Sequence, residues 1–557
     1  MNLNLFLENN PNKVCFFLSN QALSQWTIYG ENDLSLESLN SLNDKFLNRK
    51  IESGISKDRK CIEKKINDFF IDADRQDKDY IFPISAGIPL SIPDWADVEK
   101  LFYIHLILEK NNKVAILIAK DIPIDKLKIL NEKVRLYIYK LRLTTTFLHL
   151  FKTSIRKLFC EKVQKKIISQ VCWISIGRFL SAEQSDSYFG KWPWQSKHMP
   201  LRVYQQSGND FRLKSNKNQI PFEFLLHWTD IIFALLDVWI AVKMCYKLKQ
   251  DSFNKRLLRQ LWLNEINRGD VYKLALQKRA WKRMLEYYSP KTVVFPFEAR
   301  AWECSLVTQA KALGVLTVGY QHSSLTPRHR ALLNRQTMES IKKLPDKIIT
   351  CGEITAKRLI KSSPFAYFDR LIIGAAMRMS DMQISQPGKK ILISLSSNRS
   401  EAFRLFNFFF DVLSKGLQIQ LIFRSHPTIP VKEIFEKFKW PIGTIYSENR
   451  SLEQDISEAW CIAYSSSTVV IEGMQYGRIP LFVDIGDILS GDPLDDAAEF
   501  KLQTNNSEQT INIVNLLLRS RSLRTKLGNS AKEYAQRYLI KPTKNHIMEI
   551  DILLDIN

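Results

Sequence analysis

The chain has 557 residues, enough for about three to five domains, or for two large lobes with an extension. Apolar residues make up 45% and aromatic residues 11%, which excludes a disordered chain, and 19 Gly with 20 Pro exclude a collagen-like or linker-dominated one. Eighty Lys and Arg against 58 Asp and Glu leave a formal charge of +22, a surplus that suits an anionic partner: nucleic acid, a nucleotide-linked substrate or an acidic membrane face.

From the N-terminus, KVCFFLSN (13–20), KDYIFPIS (78–85) and KVAILIAK (113–120) read as strands, with a polar helical stretch among them. The start of the chain lacks the basic and apolar regions of a signal peptide. Residues 111–170 hold 14 Lys and Arg and 4 Asp and Glu, and 126–170 reads as a long basic helical region. QVCWISIG (170–177) reads as a strand, and 181–221 as a loop or insertion rich in Trp and Tyr. Residues 224–242 are long enough to span a bilayer, but Asp230 and Asp237 would each cost about 2.5–3.5 kcal/mol near its centre. A buried or membrane-surface helix is expected instead.

From 255 onward near-continuous apolar strands alternate with helices, the pattern of buried parallel strands in βαβ units. TVVFPFE (292–298), LTVGYQH (316–322) and KIITCGE (347–353) form one series. KKILISLSS (389–397), LQIQLIFRSHP (417–427), GTIYSE (443–448), WCIAYSSS (460–467) and IPLFVD (479–484) form a second. The break near 345–388 predicts two doubly wound lobes. An N-terminal lobe over 1–345 includes the basic region 126–170 and an insertion at 181–250. A second lobe follows over 346–540, then a tail at 541–557. The eight cysteines are scattered with no CxxC pair, which predicts reduced core residues, a cytosolic setting and no zinc site.

Ligands of open parallel sheets bind beyond the carboxyl ends of the strands. Those positions are polar here. Ser465, Ser466, Ser467 and Thr468 open a helix and suit a phosphate, although one hydroxyl there would be an ordinary cap. Glu472, one turn on, suits a ribose diol or solvent. Arg424, His426 and Pro427 end a neighbouring strand, where the imidazole could contact or protonate a phosphate oxygen. Ser396, Ser397 and Arg399 form a third polar turn that also resembles a capping box. In the first lobe, Glu298 follows a strand directly and is the better-placed base for a hydroxyl acceptor. Glu303 offers a second carboxylate, or a structural one, and His322 could orient the base or contact the donor.

These motifs resemble bacterial GT-B glycosyltransferases of surface-carbohydrate assembly, above all the sialyl-, polysialyl- and Kdo-transferases that use CMP-activated acidic sugars. Their HP motif corresponds to His426-Pro427 and their Ser/Thr motif to Ser465-Ser466-Ser467-Thr468. The resemblance implies an α/β, GT-B-like fold of two Rossmann-type lobes facing a cleft, with an N-terminal α/β extension and a helical insertion. It implies phosphate binding by those two motifs, inversion at the sugar, a carboxylate base and no metal or cofactor beyond the CMP-sugar co-substrate. This chain has Phe297-Glu298-Ala299-Arg300 where sialyltransferases carry a paired-acid-Gly element. The CDP-glycerol glycerophosphotransferases are also similar, with a QH-type motif, an HP motif and a Ser-rich helix start. The expected function is transfer of an acidic sugar to a surface glycan or lipid-linked acceptor, on the inner face of the cytoplasmic membrane. Polyol-phosphate transfer, a sugar-nucleotide epimerase of the same fold and a non-catalytic basic membrane scaffold are the alternatives. The charge comes with no helix-turn-helix, RNP or zinc-finger pattern, so nucleic acid is not an expected partner.

Overall fold

The computed structural model describes residues 14–17, 47–77, 82, 102, 115–118, 143–160, 170–180, 185–196, 201–206, 210–216, 218–249 and most of 252–554. The strand expected at 78–85 falls outside these residues except for Phe82, as do 126–142 and 161–169 of the basic region.

Described residues fall into two compact units. The smaller contains a parallel pair, β1 (Val14–Phe17) and β2 (Ala115–Ile118), and the helices Leu47–Gln76, Trp228–Lys247 and Phe253–Asn267. Its core includes Ile62, Ile66 and Phe69, and the Phe82 ring stacks on Trp262 at 4.3 Å. The Ser252 hydroxyl caps the helix Phe253–Asn267 by accepting from the Lys255 N–H. The Leu-, Arg- and Lys-rich stretch 255–288 reads as one helix in sequence, but Gly269 takes a φ of +71°, which only glycine adopts without strain, and a second helix starts at Asp270.

The larger unit holds two parallel sheets. The first has seven strands in the order β5-β4-β3-β6-β7-β8-β9: β3 (Val171–Gly177), β4 (Leu201–Gln206), β5 (Gln219–Pro221), β6 (Thr292–Pro296), β7 (Leu316–Gln321), β8 (Lys347–Thr350) and β9 (Leu371–Ile373). The second has six in the order β12-β11-β10-β13-β14-β15: β10 (Lys390–Ser394), β11 (Leu421–Arg424), β12 (Ile445–Ser447), β13 (Ala459–Tyr464), β14 (Ile479–Val483) and β15 (Leu502–Thr504). All pairings in both sheets are parallel, with helices on the crossovers, so the two expected Rossmann-type lobes are present.

The expected boundaries shift in three places. β8 and β9 pair with the first sheet, so that lobe runs past 345 to Ile373. Residues 541–557 are not a mere tail: the helix Lys544–Leu554 brings Ile547 and Ile550 into the first sheet's core beside Trp173, Trp192 and Tyr320. The insertion expected at 181–250 supplies β4 and β5. Arg202 had disguised β4 as polar, yet its guanidinium is buried against the Asp186 carboxylate at 2.9 Å. Among the described residues no helix is long and apolar enough to cross a membrane.

Candidate functional site

Register brings the polar strand ends together. In the second sheet Ser394 lies level with Arg424 on one side and Tyr464 on the other. His426 and Ser465 therefore leave the same sheet edge, separated by roughly 10 Å, two strand spacings. In the first sheet Pro296 pairs with Tyr320, so Glu298 and His322 also leave one edge. Between these edges lies a cavity of about 360 Å³, with His322, Ser324, Arg378, Ser451, Thr468 and Glu472 among its lining residues.

On the first-lobe side, Glu298 sits in a tight turn whose next residue, Ala299, has a φ of +61°. Glu303 clamps that turn from the first helical turn of Ala301–Ala312, accepting the N–H groups of Glu298 at 2.8 Å and Arg300 at 3.0 Å. Burial pushes the Glu303 carboxyl up to about 8, with the Glu298 charge adding to the effect. Burial also acts to raise Glu298, but the Arg300 guanidinium and the His322 and His329 imidazoles outweigh it and hold this carboxyl far below its usual range. Arg300 Nε donates to Glu298 at 2.9 Å.

His322 is 9% exposed, and its ring packs edge-on against Tyr188 at 4.6 Å. Its Nε2 stands 3.7 Å from Glu298 Oε1, while its buried Nδ1 has no hydrogen-bond partner among the described residues. Burial lowers this imidazole to about 4, so it is neutral at physiological pH. The Glu298 carboxylate beside one ring nitrogen can orient this imidazole as a base.

On the second-lobe side the expected donor residues divide. Thr468 and Glu472 line the cavity. Burial raises the Glu472 carboxyl, against the pull of Arg378 and Arg424. His426 is half-buried, and burial and Arg378 lower its imidazole. The other hydroxyls are engaged inside the lobe: Ser466 donates to buried Glu401 at 2.5 Å, Ser467 shares a hydrogen bond with Ser394 at 2.6 Å, and Ser465 is buried. Ser396 accepts the Asn398 N–H at 3.1 Å. Arg424 is held by Asp455 at 2.6 Å, and Arg399 pairs with Glu433 at the surface. Strand-end reading does not see either of these carboxylates, which lie on neighbouring elements. Ser397 and Pro427 lie outside the described residues.

Arg378 was missed. It stands five residues beyond β9, so recognising LII at 371–373 as a strand would have drawn attention to it. Ser451 was also missed; it caps the helix Leu452–Glu458 by accepting the Gln454 N–H and lines the cavity. Among the described residues no group of three or more His, Cys, Asp or Glu could hold a metal ion.

No protein-family model and no curated protein matches this chain. Several solved structures are similar. A UDP-GlcNAc 2-epimerase from Neisseria meningitidis, bound to UDP-GlcNAc, is 11% identical over 70% of this chain and 100% of its own, with a TM-score of 0.42. A glycosyltransferase from Rickettsia africae is 11% identical over 70% of this chain and 100% of its own, with a TM-score of 0.39. The wall teichoic acid polymerase TagF is 10% identical over 74% of this chain and 96% of its own, with a TM-score of 0.38.

Proposed function

We propose that the chain is an inverting GT-B glycosyltransferase that moves an acidic sugar, of nonulosonic acid or Kdo type, from a CMP-sugar to a hydroxyl of a surface glycan or lipid-linked acceptor. One observation carries this reading. His322, whose buried Nδ1 has no hydrogen-bond partner among the described residues, lines one cavity with Arg378, Thr468 and Glu472, at the facing edges of two parallel sheets.

The base in this reading is His322 rather than Glu298, whose carboxyl is too acidic and too closely paired with Arg300 to take a proton readily. In the tautomer with its proton on Nε2, the ring turns that N–H toward Glu298 and keeps a lone pair on Nδ1 for the acceptor's proton. As the acceptor hydroxyl gives its proton to Nδ1, its oxygen attacks the anomeric carbon. The bond from that carbon to the phosphate oxygen breaks, and its electron pair leaves on CMP with inversion at carbon. Arg378 and Thr468 suit the charge that gathers on the departing phosphate, and Glu472 suits a ribose diol.

Melting of the chain with CMP, CDP, UDP and GDP tests the donor. CMP should stabilise most, and Arg378→Ala should abolish the shift. An equal response to all four nucleotides removes the donor assignment, and a larger shift with CDP transfers it to polyol-phosphate chemistry. His322→Gln should lower turnover by about 10²–10⁴ while CMP still binds. Unchanged turnover would take the base role away from His322.

A further inference from the structure

The helix Trp228–Lys247 is apolar on two sides. One side packs into the smaller unit through Ile231, Ala234, Val238, Ala241 and Cys245. The other presents Trp228, Ile232, Leu236, Trp239 and Ile240 at exposures of 47%, 61%, 53%, 56% and 45%. These positions recur at three and four, so they form one stripe along the helix. Scattered exposed apolar residues need no explanation, but a continuous stripe on a 20-residue helix does.

The ends of the stripe identify its occupant. Trp228 stands at the start, Tyr246 is 59% exposed near the finish, and mostly apolar side chains, Trp239 among them, lie exposed between them. Exposed Lys243, Lys247 and Lys249 gather at the C-terminal end, with the Lys243 ammonium 5.0 Å from the Trp239 ring centroid. Aromatic rings and lysines along an apolar strip suit the boundary between acyl chains and anionic headgroups. A protein groove would not need the cations.

A second helix, Thr144–Leu158, repeats the design. Phe147, Leu148 and Phe151 are 54%, 66% and 64% exposed along one face. Its last turn is tied to the chain just ahead of the first helix. Arg156 pairs with buried Glu223 at 3.3 Å, and Lys157 donates to the Phe224 carbonyl at 3.2 Å.

We infer that the exposed stripe of Trp228–Lys247, aided by Thr144–Leu158, seats the protein on an anionic lipid bilayer, lying in the headgroup boundary without crossing it. This does not rest on the glycosyltransferase reading, and nucleotide binding in lipid-free solution tests that separately. The experiment is flotation of the full chain with vesicles of phosphatidylcholine alone or with about a third phosphatidylglycerol. The parent should float with the anionic vesicles and do so less at high salt. Ile232→Asp with Ile240→Asp should cut partitioning about tenfold or more. Lys243→Glu with Lys247→Glu touches no core residue and keeps the test open if the first variant melts early; it should abolish the preference for anionic lipid. The inference fails if the parent stays with the protein fraction at both compositions, or if both variants float like the parent. It also fails if the parent is a dimer that the aspartates dissociate, because a second copy then covers the stripe.

Discussion

Glu298 and Glu303, five residues apart, carry opposite electrostatic histories. Glu298 meets cations and stays ionised; Glu303 meets backbone N–H groups in a dry pocket and holds its proton to about 8. The sequence offered both as base candidates, and nothing in residue type separates them, because the difference lies in Arg300 and in the depth of burial. The folded-state pKa of Glu303 lies above its ordinary 4.5, so its contribution to stability is complete below that pH and is lost as pH rises through about 8. Glu303→Gln keeps an amide oxygen for the two N–H groups and has nothing to titrate. Its melting temperature relative to the parent should therefore climb between pH 4.5 and about 8; a pH-independent difference would contradict the burial argument. For His322 the sign is reversed. A base that must be neutral works above its pKa, so turnover should hold through neutrality and fall as pH approaches about 4. Glu298→Gln should cost turnover while leaving nucleotide binding, since its part in the proposed reaction is to hold the ring.

At the scale of elements, the strands of both sheets from β6 to β14, other than β9, were legible because buried parallel strands are nearly continuous apolar runs. What escaped was short or polar. β9 is three residues long, and β4 carries a buried arginine whose partner, Asp186, is remote in sequence. Close approaches of backbone are equally invisible from sequence. Gly528 lies within the helix Arg521–Tyr538, and a methyl group there would stand 2.6 Å from the Gly477 carbonyl oxygen. Gly477, with a φ of +74°, turns the chain after the helix Val469–Met474 and into β14. Alanine would favour the isolated helix by about 1 kcal/mol. The clash with fixed backbone should dominate, so Gly528→Ala is expected to destabilise by about 1–3 kcal/mol. Urea unfolding measures this, and a gain in stability would show that the helix can shift.

Over the whole larger unit, one of the hydroxyls read as phosphate ligands, that of Ser466, also takes part in a contact between its lobes. Arg328, on the segment after β7, donates to the Leu489 carbonyl at 2.9 Å and reaches Glu401 of the second lobe at 3.3 Å. Glu401 is fully buried and also accepts from Ser466, and Gly491 leaves the room: a methyl there would stand 2.2 Å from Ser466 Cβ. Sequence could place Ser466 at the sheet edge, but not say that a carboxylate 65 residues away would claim its hydroxyl. Removing one member of a buried ion pair strands the other, so Arg328→Ala should cost about 3–5 kcal/mol. Replacing both, Arg328→Met with Glu401→Leu, removes the stranded charge and should recover much of that loss. Denaturation of the single and double variants closes the cycle. If Arg328→Ala costs no more than a surface substitution, roughly 0.5 kcal/mol, the joint is solvated and the lobes are held elsewhere. Another contact between the lobes is made by Arg358, which donates to the Leu325 carbonyl at 2.6 Å and pairs with Asp495 at 2.9 Å. Since both joints border the segment that follows His322, loosening either one should reduce turnover before it reduces nucleotide binding.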